Sequence, residues 1–265
     1  LSHDAGAHYF WRHTLYAVSH HFGQPFVQSA QTPGLHRSPT GIHQDPTDRY
    51  AHRRTTCANA RRFIRIDSVH QGDQDGIKGV YHINAVDCVT QWELVATCEK
   101  ISEAYLLPVI QALLAGFPFR ILGFHADNGS EYINHTVARM LTKLAAEFTK
   151  SRPRHSNDND LAETKNGAVV RKHLGYAHIP QRYAVEVNVW CAEHLNPYVN
   201  FHRPCLFAET ITDKKGKTRK RYPLRLIMTP FEKLASVPEV IAFLRPDSTL
   251  DTLSLIHISE PTRPY

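Results

Sequence analysis

Two carboxylates in the middle of the chain stand where a chemical site would need them. The apolar run Ile121-Leu122-Gly123-Phe124 breaks into His125-Ala126-Asp127-Asn128-Gly129-Ser130-Glu131, the pattern of a buried strand that closes at a turn. A carboxylate at such a strand end projects at the sheet's edge, where open α/β sheets keep their sites. Glu163 follows after 35 intervening residues, in Asn159-Asp160-Leu161-Ala162-Glu163-Thr164-Lys165-Asn166-Gly167, at the start of a helical segment. Upstream, Phe63-Ile64-Arg65-Ile66-Asp67-Ser68-Val69-His70 offers Asp67 on another strand. Two strand-borne aspartates and one helix-borne glutamate suit a pair of Mg²⁺ ions, which take a few hard oxygen ligands and keep positions for water and phosphate. Asp73, Asp75 and Asp87 compete with Asp67. The first two fall in a turn, where Asp is an ordinary surface residue, and Asp87 lies between paired strands, where Asp makes turn hydrogen bonds. Asp67 is preferred because an apolar strand leads directly into it.

The elements that must position these residues can be read on either side of them. Phe63 to Val69 is the first strand, and Gln71-Gly72-Asp73-Gln74-Asp75-Gly76 is a turn with two glycines available for positive φ. Val80 to Val86 and Trp92 to Cys98 alternate as two further strands of a meander. Ser102 to Ala115 has helical spacing, with Ser102 as N-cap and Pro108 either kinking it or near its start. Val137 to Phe148 is a long amphipathic segment whose stripe of Val137, Leu141, Leu144 and Phe148 is core packing. At about 100° per residue from Glu163, Gly167 falls near 40°, Val170 near −20° and Arg171 near 80°, while Lys165 and Lys172 fall on the opposite face. Tyr183 to Leu195 reads as a helix ending at Asn196-Pro197. Asp213 to Arg221 is a basic run around Gly216, a hairpin tip or loop, with solvation and phosphate contact as its alternative uses.

The three acidic segments resemble the catalytic core of retroviral-type integrases and bacterial insertion-sequence transposases, the D,D-35-E group. The match is closest to bacterial integrase-core proteins carrying Ile-Asp-(Ser/Thr)-Val-His, Asp-Asn-Gly-Ser-Glu-Tyr and Glu-(Ser/Thr)-Lys-Asn-Gly, and it covers roughly residues 61–235. Tyr198 to Pro204 and Thr229 to Leu234 resemble segments near the end of such cores. The resemblance implies an α/β, ribonuclease-H-like fold: a mixed five-stranded sheet flanked by helices. It implies a Mg²⁺-dependent polynucleotidyl transferase that cleaves DNA 3′ ends and joins them to target DNA. Asp67, Asp127 and Glu163 would be catalytic and would hold two Mg²⁺ ions, with Mn²⁺ able to substitute. Asn128 and Asn157 would support them. Arg152 and Arg154, in a polar stretch from Lys150 to Asn159, would meet DNA, as would Lys165, Asn166, Arg171 and Lys172. The family carries DNA-contacting lysines on the glutamate's own face, at positions that are Gly167 and Val170 here. Gly167 then serves either a close backbone approach or tight helix packing. The implied partners are DNA (element ends and target) and further copies of the chain in a homo-multimer. Neither a membrane nor a small-molecule substrate is implied, and the implied location is the bacterial cytoplasm, at the nucleoid. Two other readings stay open: a ribonuclease-H-like nuclease without strand transfer, and an inactive remnant that only binds DNA.

The 265 residues divide into a poorly defined N-terminal segment or linker (1–60), a catalytic core (61–200), a C-terminal extension with the basic loop (201–250) and a last stretch (251–265). The first segment is crowded with histidine and shows no sustained periodicity. The last resembles the translation of a sequencing adapter. A net charge of +6, with 42% hydrophobic residues, favours a polyanionic partner and an ordinary globular core. No apolar run approaches the ~20 residues of a membrane span. The five cysteines are odd in number and contain no C-x-x-C, which points to reduced, mostly buried thiols rather than a zinc site.

Overall fold

The computed structural model describes residues 62–126, 147–150, 160–212 and 216–259. Asp127, Asn128, Arg152, Arg154, Asn157, the N-terminal segment and most of the expected amphipathic helix lie outside the described residues.

The first strand, β1 (Phe63–His70), organises the rest. Side chains alternate across it: Ile64 and Ile66 enter one hydrophobic core, and Val69 enters a second core on the opposite face. Asp67 shares the face of Val69. A small hairpin, β2 (Asp73–Gln74) and β3 (Ile77–Lys78), turns the chain back, with Gly72 and Gly76 at φ of 83° and 77° as the turn requires. The next strand, β4 (Tyr81–Asp87), runs antiparallel to β1 and sets Asn84 opposite Asp67. Asp87 accepts from the Thr90 amide at 2.7 Å and hydroxyl at 2.8 Å, the turn role expected of it. The edge strand β5 (Glu93–Cys98) completes the meander and is buried throughout.

Helix α1 (Glu103–Gly116) covers one face of the sheet through Leu106, Val109, Ile110 and Leu113. Ser102 sits at its N-cap but its hydroxyl makes no capping bond, and Pro108 lies inside the helix. Strand β6 (Gly123–Ala126) then returns parallel to β1 on its other side, and β7 (Glu147–Lys150) lies parallel to β6. A Cβ at Gly123 would fall 2.0 Å from the Phe63 ring, so β6 opens with the one residue that admits it. The sheet order is β5-β4-β1-β6-β7. Phe148 corrects the sequence reading: it belongs to a strand and pairs with Phe124. The helical spacing that enlisted it is overridden by the sheet pairing, which Phe and Thr favour.

Two helical segments cover the other face. The first, α2 (Asp160–Lys165), runs on through a π-helical stretch (Asn166–Arg171) into a final turn (Lys172–Leu174). The second, α3 (Ala184–Trp190), continues through Cys191–Leu195 and Tyr198–His202. It therefore passes through Asn196-Pro197 instead of ending there. Pro197 supplies no N–H, and the Asn200 side chain donates to the Asn196 carbonyl at 2.8 Å, supporting the backbone there. Val69, Val95, Val169, Val170, Cys191 and Leu195 form the core between these helices and the sheet.

That packing also closes the exposed edge of β5. Asn188, Asn196 and Asn200 each accept the N–H and donate to the C=O of one strand residue, namely Thr97, Val95 and Glu93. Unpaired edges invite pairing with other chains, and three side-chain amides here occupy the place of a sixth strand.

The chain then forms β8 (Cys205–Leu206), the hairpin β9 (Glu209–Thr212) and β10 (Thr218–Arg221), and β11 (Ile227–Met228), which pairs with β8. The basic run is thus a hairpin, turning with Gly216 at φ 77°. Thr229 and Glu232 form a reciprocal capping box on α4 (Pro230–Ala235). The last helix, α5 (Leu250–Ser259), buries Leu253 in the first core; an apolar Leu/Ile run gives such a helix whatever its origin. No described helix is long and apolar enough to cross a membrane. The described cysteines are free thiols.

Candidate active site

Asp67 is held from two directions. The Ser68 backbone N–H donates to Oδ1 at 2.8 Å, and the Asn166 side chain donates to Oδ2 at 2.7 Å. Asn166 is held in turn, because the Asn84 amide donates to its Oδ1 at 3.1 Å. Asn84 is the residue opposite Asp67 in the neighbouring strand. One carboxylate, one helix amide and one strand amide are thus joined by two hydrogen bonds across the β1–β4 pair.

Glu163 lies one helical turn before Asn166, and residues at that spacing share a helix face, with Cβ atoms about 5–6 Å apart. Its side chain is exposed while Ala162 and Lys165 are buried. The helix therefore turns Glu163 outward on the side where Asn166 reaches Asp67. Asp127 is the residue next after Ala126, which pairs with Ile66, the residue before Asp67. Among the described residues, no three His, Cys, Asp or Glu side chains come together as a metal-holding group. The carboxylates of Asp67 and Glu163 are of the hard-oxygen type that Mg²⁺ takes, and both described hydrogen bonds to Asp67 come from neutral N–H groups.

Lys165 is a correction. It is 5% exposed, and its Nζ lies 3.3 Å from Glu93 Oε2 and 3.2 Å from Cys205 Sγ. The angular reading set it opposite Glu163, and that face is the buried one, so its ammonium meets a carboxylate inside the protein and not DNA. Burial pushes the Glu93 carboxyl up; Lys165, Arg203 and the Asn84 amide oppose the shift. Hydrogen bonds therefore run from Asp67 through Asn166 to Asn84, whose amide also bears on the buried Glu93 carboxyl.

Arg171 is half-buried. Its guanidinium donates to Gln71 Oε1 at 3.0 Å and the His70 carbonyl at 2.9 Å, and it stacks over Tyr176 at 5.0 Å. It fastens the end of β1 from a half-buried position. Asn166, also half-buried, supports Asp67. Lys172 is exposed as a DNA contact must be. The wider π-helical turn advances less per residue than 100°, which carries Lys172 off the buried face where regular spacing had set it. Gly167 is exposed, and an added Cβ would meet nothing within 4 Å among the described residues, so packing against those residues is not its reason.

Sequence reasoning passed over Asn84 and Glu93. Both carried a signal: an amide amid the apolar residues of β4, and a carboxylate opening a strand of buried residues, where neither type is favoured. Nearby, burial and then Arg171 lower the His82 imidazole to about 4, and its Nδ1 lies 2.9 Å from Thr97 Oγ1.

No protein-family model matches the chain. An uncharacterized protein, y4rM, of Sinorhizobium fredii is 25% identical over 161 residues, 60% of this chain and 46% of that protein. The chain thus spans less than half the length of this curated relative. Among solved structures, the catalytic core domain of BIV integrase is similar with a TM-score of 0.40 and 15% identity, over 65% of this chain and 93% of that one. An intasome of simian T-cell lymphotropic virus, in complex with PP2A regulatory subunit B56 gamma, is similar with a TM-score of 0.40 and 18% identity, over 51% and 49% of the two chains. Both neighbours are retroviral integrase structures; likeness at this level is one of outline and carries no chemistry across.

Proposed function

We propose that the protein is a metal-dependent polynucleotidyl transferase of the transposase/integrase type, with a ribonuclease-H-like core that cleaves DNA 3′ ends and joins them to target DNA. The observation that carries the reading is the Asn166–Asp67 bond, because it ties the Glu163 helix to the strand beside the one that leads into Asp127. Asp67, Asp127 and Glu163 are its proposed catalytic and metal-holding residues.

Bound at these carboxylates, Mg²⁺ or Mn²⁺ would activate the attacking water or 3′-hydroxyl and stabilise charge on the departing oxygen. The chain's own contribution is to hold the carboxylates. Asn166 fixes the Asp67 rotamer, Asn84 fixes Asn166, and the helix turns Glu163 toward solvent, where a phosphodiester can approach. The open flank at Gly167 gives a sugar-phosphate backbone room to come close. Lys172 is the exposed helix cation for that backbone, and Arg152 and Arg154 remain proposed contacts. DNA, and further copies of the chain that pair two ends, are the proposed partners.

Mn²⁺-dependent nicking of supercoiled plasmid tests the reading without knowledge of the element ends. Wild type should nick, and Asp67→Asn and Glu163→Gln should not. Joined products on a second DNA would separate a transferase from a nuclease. Undiminished nicking by both variants would refute the assignment.

A further inference from the structure

We infer that the β9–β10 hairpin is a second nucleic-acid contact, a basic two-stranded arm that grips duplex backbone; this rests on the proposed function above. Residues 209–225 hold seven Lys and Arg against two acidic residues. That is a net +5 out of +6 for the whole chain, so this one segment carries nearly all of the protein's excess charge. Every residue of β10 is exposed. Among the described residues, Arg219, Lys220 and Arg221 have no ion-pair partner, and the hairpin's one described carboxylate, Glu209, is taken by Arg225. Unpaired like charges crowded on a ribbon repel one another, and a polyanion relieves that cost.

The foot of the arm is fixed to the body. The Gln91 side chain donates to the Leu206 carbonyl at 2.9 Å, Phe207 N–H donates to the Leu226 carbonyl at 3.2 Å, and β8 pairs with β11. Cys205, at the start of that foot, lies against Lys165, two residues beyond Glu163. The arm is thus rooted on the buried face of the carboxylate-bearing helix, the face away from Glu163. A two-stranded ribbon is one of the shapes a major groove about 12 Å wide admits. The described strands carry Thr210, Thr212 and Thr218 and no aromatic residue, which suits phosphate better than the apolar insertion a membrane arm uses. The exposed Tyr222 and Leu224 stand after β10, at the foot.

The test is binding of the full chain to a labelled duplex of mixed sequence in EDTA, read by anisotropy over a salt series. EDTA removes any part played by metal. Replacing Arg219, Lys220 and Arg221 by Ala should lower the slope of log K against log salt by about 0.9 for each phosphate no longer neutralised, about 2.7 for three. Between about 50 and 200 mM salt the wild type should then lose ~40-fold more affinity than the variant does. The charge-keeping variant R219K/K220R/R221K should bind as wild type, which separates charge from folding. A wild-type slope in the alanine variant would overturn the arm while leaving the carboxylate reading intact. Failure of the wild type to bind duplex at low salt would overturn both. Hairpin-dependent binding to phosphatidylserine vesicles without duplex binding would overturn the nucleic-acid arm in favour of a lipid surface.

Discussion

Lys165 gives the sharpest contrast between two accounts of one residue. If it met DNA, Lys165→Met would leave stability within about 0.5 kcal/mol of wild type and lower the salt slope of DNA binding by about 1. The structure requires the reverse. Its ammonium is 3.3 Å from Glu93 Oε2, and the two side chains are 6% and 0% exposed. Removing one partner of such a pair strands the other charge, at a typical cost of about 3–5 kcal/mol. Glu93 can limit the loss by taking a proton, since burial already raises its pKa and Lys165 is the first influence holding it down. In the variant its folded pKa therefore lies further above the unfolded value, so the variant keeps most stability below the unfolded pKa and loses it as pH rises through the folded one. Urea denaturation at neutral pH and near pH 5 reads both effects, and adding Glu93→Gln should recover much of the loss. A single variant as stable as wild type, with a shallower salt slope for DNA, would refute the buried pair.

Three further outcomes follow from the same geometry. Asn166→Ala removes the amide that orients Asp67 and should weaken Mn²⁺ binding about 10–100-fold, as loss of a ligand's supporting partner commonly does; calorimetry measures it. His82 has a folded pKa of about 4 against an ordinary 6.5, so its stabilisation is present above 6.5 and is lost as pH falls through 4. The loss is at most about 3 kcal/mol, and His82→Asn should flatten that part of the stability–pH curve. Asn200→Ala leaves the N–H and C=O of Glu93 without their 2.8 and 2.7 Å partners, at about 1–3 kcal/mol for each orphaned group. Denaturation and light scattering should show lower stability and more association through the bared edge.

What could be read in advance was what local pattern controls. The strand leading into Asp67, the glycine turn after it and the two meander strands follow from alternation and turn chemistry, and the structure has them with shifts of a residue or so at their ends. The basic run was legible as a hairpin because glycine and charge mark a tip. Long-range pairing was not legible. Phe148 fits a helical stripe until β6 is present to pair with it, and Pro197 reads as a stop until Asn200 supports the turn around it. Lys165 reads as a surface charge because nothing near it in sequence announces Glu93, 72 positions earlier. The asparagines that close β5 stand eight and four residues apart, a helical spacing that puts them toward one face, but nothing local announces that this face meets a strand edge. For the candidate site, the chain alone singled out Asp67, Asp127 and Glu163 as expectations, while the Asn166–Asn84 support depends on a strand register that no local pattern sets.

Thermal melting across a Mn²⁺ titration, with and without duplex DNA, addresses the carboxylate site most directly. Wild type, Asp67→Asn and Glu163→Gln would be compared side by side. Metal at ~100 times its Kd should stabilise the wild type by about 2.7 kcal/mol, roughly 5–10 °C for a domain of this size, and each amide variant should lose most of that shift. Amide variants that match the wild type under both conditions would contradict the account.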